Sequence, residues 1–186
     1  NKYYGGADFD LDASVFLLGA NGRVRSNLDF VYYGNLRHNS GSVEHMGDNL
    51  TGGGSGDAEQ IRVNLANVPS DVEKITVAVT IYDAENRRQN FGQVSNAYIR
   101  IVDEETHNEV IRYDLGEDFS IETSVVVGEI YRYKGEWKFT AIGSGFKGGL
   151  KTMCLNYGVD MEIRDPSRGV IELKKGQKVD LIKRGA

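Results

Sequence analysis

One cysteine, two prolines and three histidines in 186 residues remove several function classes at the outset. Cys154 has no partner for an internal disulfide, so the fold must stand on its apolar core. His38, His45 and His107 lie far apart in the chain, and neither a Cys/His metal spacing nor a Ser/His/Asp pattern is legible. No apolar run approaches the length of a membrane span or of a signal core, which points to the cytoplasm. Positive charge is also short: 22 basic residues against 27 acidic ones give a net charge of -5, a field that repels nucleic acid and anionic membrane surfaces.

What the chain does have is glycine, tyrosine and short apolar runs. Twenty-three glycines, ten tyrosines and 40% hydrophobic residues suit a turn-rich β protein with a sizeable core better than a helical bundle. The run at 14–18, the Gly19-Ala20-Asn21-Gly22 turn and residues 23–25 read as a hairpin. Further strands are expected at 29–33, 60–65, 74–82, 97–102, 110–115, 123–133 and 137–142. Leu150, Met153, Cys154 and Tyr157 fall at helical spacing between Gly149 and Gly158, so one short helix is expected against the sheet edge. On that stripe Cys154 reads as a small buried hydrophobe rather than a reactive thiol. The fold class is therefore all-β, a two-sheet β-sandwich with one or two short helices.

The domain is expected to span 1–160, followed by a linker at 161–169 and a β-patterned tail at 170–186. In the tail Ile171 and Leu173, then Val179 and Leu181, alternate with polar residues. Its cluster of Lys174, Lys175, Lys178, Lys183 and Arg184 reads as a solvated strand face, with a binding patch as the alternative.

Two acidic segments carry the most unusual chemistry. Asp8, Asp10 and Asp12 recur at spacing two, which in an extended chain puts all three carboxylates on one side, where they repel unless a cation neutralises them. Counting from Asp8, an EF-hand would need Gly and Glu where this chain has Ala13 and Gly19, so that loop is excluded. The second segment, EHMGDNLTGGGSGDAE at 44–59, joins carboxylates to glycines that can turn backbone carbonyls inward, and it holds no Lys or Arg. An oxygen-only donor set favours calcium over magnesium or zinc. A phosphate cradle would need the GK[ST] ending that is missing here, and its carboxylates would repel the phosphate. For either segment alone the plain alternative is an acidic turn in solvent. Two of them, leading into strands that could be neighbours, favour a shared metal site.

These residues also resemble a known family. GADFDLDASVFLL at 6–18, GSVEHMGDNLTG at 41–52, FGQVSNAYIRIV at 91–102, RYDLGEDFSIET at 112–123 and GEWKFTAIGSGF at 135–146 are similar to TerD domains, over about 1–160. The resemblance implies a β-sandwich that binds one or two calcium ions, without catalysis, in proteins tied to tellurite and chemical-damage resistance, phage defence and stress. It implies a ligand set of Asp8, Asp10, Asp12, Asp48, Asn49, Leu50, Gly52, Asp57 and Glu59. Gly53 and Ala58 stand where the family commonly carries acidic residues, which is expected to weaken or delete one ion. The family's opening strands are missing before the first acidic loop, yet IELKKGQKVDLIK at 171–183 resembles the first of them. The tail is thus expected to complete this domain or a neighbour's, as in a tandem array or a strand-swapped oligomer. Expected partners are calcium and other stress-resistance proteins or tandem domains.

Two other functions compete. A calcium-dependent binding module could use Tyr3, Tyr4, Tyr32, Tyr33 and Trp137 as its face. A hydrolase could use Glu117, Asp118 and Glu122, or Asp83 with Glu85, but turn charges account for these better, and Asp83 could instead add a metal ligand.

Overall fold

The structure is a computed structural model in which residues 9–48, 59–94 and 98–160 are described. Its centre is a five-stranded antiparallel sheet. Strands β1 (Leu11–Leu18), β2 (Phe30–Val31), β5 (Lys74–Ile81), β8 (Ser124–Tyr133) and β9 (Glu136–Phe146) lie in the order β2-β1-β5-β8-β9. The run from Val15 to Leu18 is buried at every residue, the signature of a strand covered on both faces.

Alternation sorts the core into two layers. On one face Val15, Leu17 and Ile75 pack beneath the ladder of β3 (Val43–Asp48) and β4 (Glu59–Val63), through Val43, Ile61 and Val63. On the same face Val79, Ile81, Val125 and Val127 pack beneath the ladder of β6 (Tyr98–Asp103) and β7 (Asn108–Asp114), through Ile99, Ile101 and Tyr113. The second layer of the all-β fold thus consists of two separate two-stranded ladders. Short helices α1 (Ala84–Arg87) and α2 (Leu115–Asp118) fill the turns on this side, burying Ala84 and Leu115.

The opposite face carries Phe16, Leu18, Ala78 and Val126 against Met153 and Cys154 of α3 (Leu150–Asn156). The expected helix is present, but it covers the sheet's face rather than its edge, because its stripe meets residues of β1, β5 and β8. Beside it Phe16 stacks on Phe30 at 4.6 Å and Phe30 on Tyr32 at 4.3 Å, both near parallel. Each such side chain contributes about 1.5–3 kcal/mol by leaving water.

The other expected strands are present with shifted ends, and two differences are informative. The expected 14–25 hairpin reduces to a single bridge between Leu18 and Val24. Past that bridge the chain is drawn elsewhere: Val24 N–H donates to the Tyr157 carbonyl, and Arg25 N–H donates to the Asp29 carboxylate at 3.0 Å. Conversely, the acidic segment at 44–59 is partly ladder. Strand β3 runs to Asp48 and β4 starts at Glu59, and these two residues are register partners. The tail beyond Asp160, with its expected strand, lies outside the described residues.

Candidate functional site

The first acidic segment enters β1 at a corner that β5 also reaches. Tyr82 N–H donates to the Asp10 carbonyl at 2.8 Å, and Asp12 is the register partner of Thr80. Immediately after Tyr82 the backbone turns through Asp83 in the left-handed region (φ 54), a conformation rare for a non-glycine residue. Asp10 and Asp12 at the start of β1 and Asp83 just after β5 all act on the Tyr82 phenol. The Tyr82 hydroxyl is pushed up first by burial, then by the charges of Asp83, Asp10 and Asp12, while Arg87 opposes the rise.

Asp83 is the unusual member. Its side chain is only 17% exposed, and its Oδ1 is buried with no hydrogen-bond partner. Its Oδ2 lies 3.8 Å from the Arg87 guanidinium, which also sits 5.7 Å from the centre of the Tyr82 ring. A buried carboxylate oxygen without a donor costs free energy, on the order of 1–3 kcal/mol, unless something positive meets it. On donor chemistry Asp10, Asp12 and Asp83 suit a hard, oxygen-seeking cation.

The described residues hold part of the expected ligand set. Asp10 and Asp12 lie within electrostatic reach of the Tyr82 phenol, as Asp83 does, and the backbones of Asp48 and Glu59 pair across β3 and β4. Asp8, Asn49, Leu50, Gly52 and Asp57, together with Gly53 and Ala58, lie outside the described residues. Among the described residues no group of three or more His, Cys, Asp or Glu side chains closes on one point.

A second polar cluster was not legible in the sequence. Asp29 and His38, 2% and 1% exposed, are bonded through Asp29 Oδ1 and His38 Nε2 at 2.7 Å. On the other side of the ring, Ser40 N–H donates to Nδ1 at 3.1 Å, so Nδ1 is the acceptor and Nε2–H donates to Asp29. Ser40 Oγ then donates to Nδ1 at 2.6 Å. Arg25 adds two bonds to Asp29, 2.8 and 2.9 Å, and a further contact to Asp71. Burial pushes the Asp29 carboxyl up, but the bonds from Arg25 and His38 together outweigh it and hold the group below the usual carboxylate range.

This is the order of a hydrolytic triad, but the hydroxyl is saturated. Ser40 Oγ also accepts from Ser42 N–H at 3.2 Å and from Ser42 Oγ at 2.7 Å, which uses both lone pairs. A nucleophile needs one free. The cluster is therefore a turn latch. Of the carboxylates weighed for hydrolysis, Asp118 accepts from Asp114 N–H and Glu122 from Ser120 N–H, while Asp114 Oδ1 caps α2 by accepting from Gly116 and Glu117 N–H. Cys154 is buried, and burial pushes its thiol up to about 12. No helix among the described residues is long and apolar enough to cross a membrane.

The fold is thus an all-β domain whose acidic corner holds one unpartnered carboxylate oxygen, that of Asp83. A profile of the TerD domain family matches residues 1–157. General stress protein 16U of Bacillus subtilis is 60% identical over 161 residues, covering 87% of this chain and 83% of the relative. Tellurium resistance protein TerD of Serratia marcescens is 56% identical over 155 residues, covering 83% and 81%. A crystal structure of a telluride resistance protein homologue from Streptomyces coelicolor superposes with TM-score 0.68 at 20% identity, covering 81% of this chain and 87% of that one, a likeness of fold. The chain belongs to the TerD family.

Proposed function

We propose that this protein is a calcium-binding, non-catalytic stress-response protein of the cytoplasm, associated with tellurite and chemical-damage resistance. The observation that carries the calcium reading is the buried, unpartnered Oδ1 of Asp83, next to a phenol whose proton Asp10 and Asp12 also help to hold. A cation there would offset the repulsion among three carboxylates and meet the orphaned oxygen. Asp8 and the second segment, with Asp48, Asn49, Leu50, Gly52, Asp57 and Glu59, would complete one or two sites. The resistance role is supported by relatives named for tellurium resistance and general stress. The β-patterned tail at 170–186 would complete this domain or a neighbouring one, and other stress-resistance proteins would be its partners.

The test is calorimetric titration of chelator-treated protein with calcium, magnesium competing, beside the Asp10→Ala/Asp48→Ala double variant. Saturable calcium binding that the variant abolishes supports the reading. No heat and no thermal stabilisation by calcium would sink it.

A calcium-dependent binding module is the second reading, favoured by Tyr33, which is exposed yet packs edge-on against Tyr82 beside the acidic corner. If calcium changes what the protein retains in a pull-down, the ion orders a docking face. If it only raises the melting temperature, the ion is structural.

A further inference from the structure

We propose that strand β9 is a self-association edge, through which two copies of this chain join their central sheets antiparallel about a two-fold axis centred on Phe139. Strand β9 spans Glu136–Phe146 and ends the five-stranded sheet, and among the described residues no strand pairs with its outer side. An edge of this length exposes a row of backbone donors and acceptors that natural folds usually cover, bend away or charge.

The hairpin turn fixes which groups face out. Lys134 and Gly135 both have positive φ (49 and 78), as a two-residue hairpin turn needs, and Tyr133 is the register partner of Glu136. In such a hairpin the flanking pair exchanges both hydrogen bonds, and bonded pairs then alternate along the ladder. Glu136, Lys138 and Thr140 therefore bond inward to Tyr133, Tyr131 and Glu129, their register partners. The N–H and C=O groups of Trp137, Phe139 and Ala141 point outward.

From Glu136 to Ala141 the pairing with β8 keeps one unbroken register. Beyond Ala141 the register with β8 shifts, and Gly143 takes φ 63, bending the strand away. The usable edge is thus centred on Phe139. A two-fold axis there sets Phe139 opposite its copy and Trp137 opposite Ala141, so every outward group meets an outward group, for about six new backbone bonds.

The side chains agree with that register. On one face the cross-strand pairs are half-buried aromatics, Phe139 with Phe139 and Trp137 with the small Ala141. On the other face each Lys138 stands opposite an uncharged Thr140, so no like charges meet directly. Each Lys138 ammonium lies 5.5 Å from its own Tyr133 ring. A second copy is thus a complementary occupant of this edge.

The test uses the full chain, in sedimentation velocity over a wide concentration range and in amide hydrogen exchange. The expected result is a monomer–dimer equilibrium, with protection of the Trp137, Phe139 and Ala141 amides that rises with protein concentration. Ala141→Pro removes an N–H that β8 does not use and should abolish the dimer with the monomer still folded. Thr140→Lys sets two lysines opposite two lysines and should weaken the dimer, roughly two- to thirty-fold, whereas Thr140→Glu should tighten it by a similar factor. The proposal is overturned if the protein stays monomeric at every concentration. It is equally overturned if those amides are protected independently of concentration, as an intramolecular strand would make them, or if a dimer forms that none of the three substitutions alters.

Discussion

Two carboxylates in this domain, buried Asp29 and half-buried Asp83, live in opposite circumstances. Asp29 receives bonds from Arg25 and His38, and every polar atom of its latch is spoken for. Asp83 is held in a left-handed turn among other acids, with one oxygen that nothing donates to. A satisfied buried charge is a structural part, since its environment already repays the loss of water. An unsatisfied buried oxygen costs free energy unless something positive meets it, and the calcium reading proposed above rests on that contrast.

The comparison breaks most sharply at Asp29. Replacing it by Ala leaves the buried Nε2–H of His38 without an acceptor and Arg25 with only Asp71, and the expected loss is about 1–3 kcal/mol, read from urea unfolding monitored by Trp137 fluorescence. Acid should reach the same place reversibly. Because the folded carboxyl lies below its unfolded value, its contribution is complete above the unfolded pKa of about 4 and is lost as pH falls through the lower, folded one. A melting temperature measured down that range should drop in the wild type, with a shallower fall in the Asp29→Ala variant. The smallest effect is at Asp83. Without calcium, Asp83→Asn should change stability by no more than about 1 kcal/mol, since the carboxylate it removes is poorly partnered. With calcium present the same change should erase the thermal stabilisation that the ion gives the wild type. Equal calcium responses in the two proteins would dissolve the distinction between the two regions.

The strands most legible in the sequence are those buried on both faces. Residues 74–82 and 123–133 read directly as β5 and β8, because covered strands need unbroken apolar or β-branched runs. Strand β3 was hidden, since EHMGD has no alternation to see. Its inward residues include His45, a polar side chain that burial in the fold, not local pattern, puts there. The hairpin expected at 14–25 failed for a related reason: Val24 and Arg25 find partners in Tyr157 and Asp29, which no local reading weighs. At the acidic corner Asp10 and Asp12 were visible from spacing, and Asp83 was visible as a spare acid near a strand end. The Asp29 latch was not, although Ser40 and Ser42 at spacing two around Gly41 (φ 74) mark a tight turn after His38.

The tie between the segment after β1 and the end of α3 also has a bearing on how the molecule is made. Val24 bonds to Tyr157, and the side chain of Asn27 exchanges two 2.8 Å bonds with the backbone of Asp160. During synthesis the strands from β1 onward leave the ribosome long before α3, so one whole face of the sheet, with its stacked phenylalanines, waits uncovered for the last turn of helix. A nascent chain from which α3 has not yet emerged leaves Phe16, Phe30 and Leu18 without the Met153 and Cys154 side chains that pack against them.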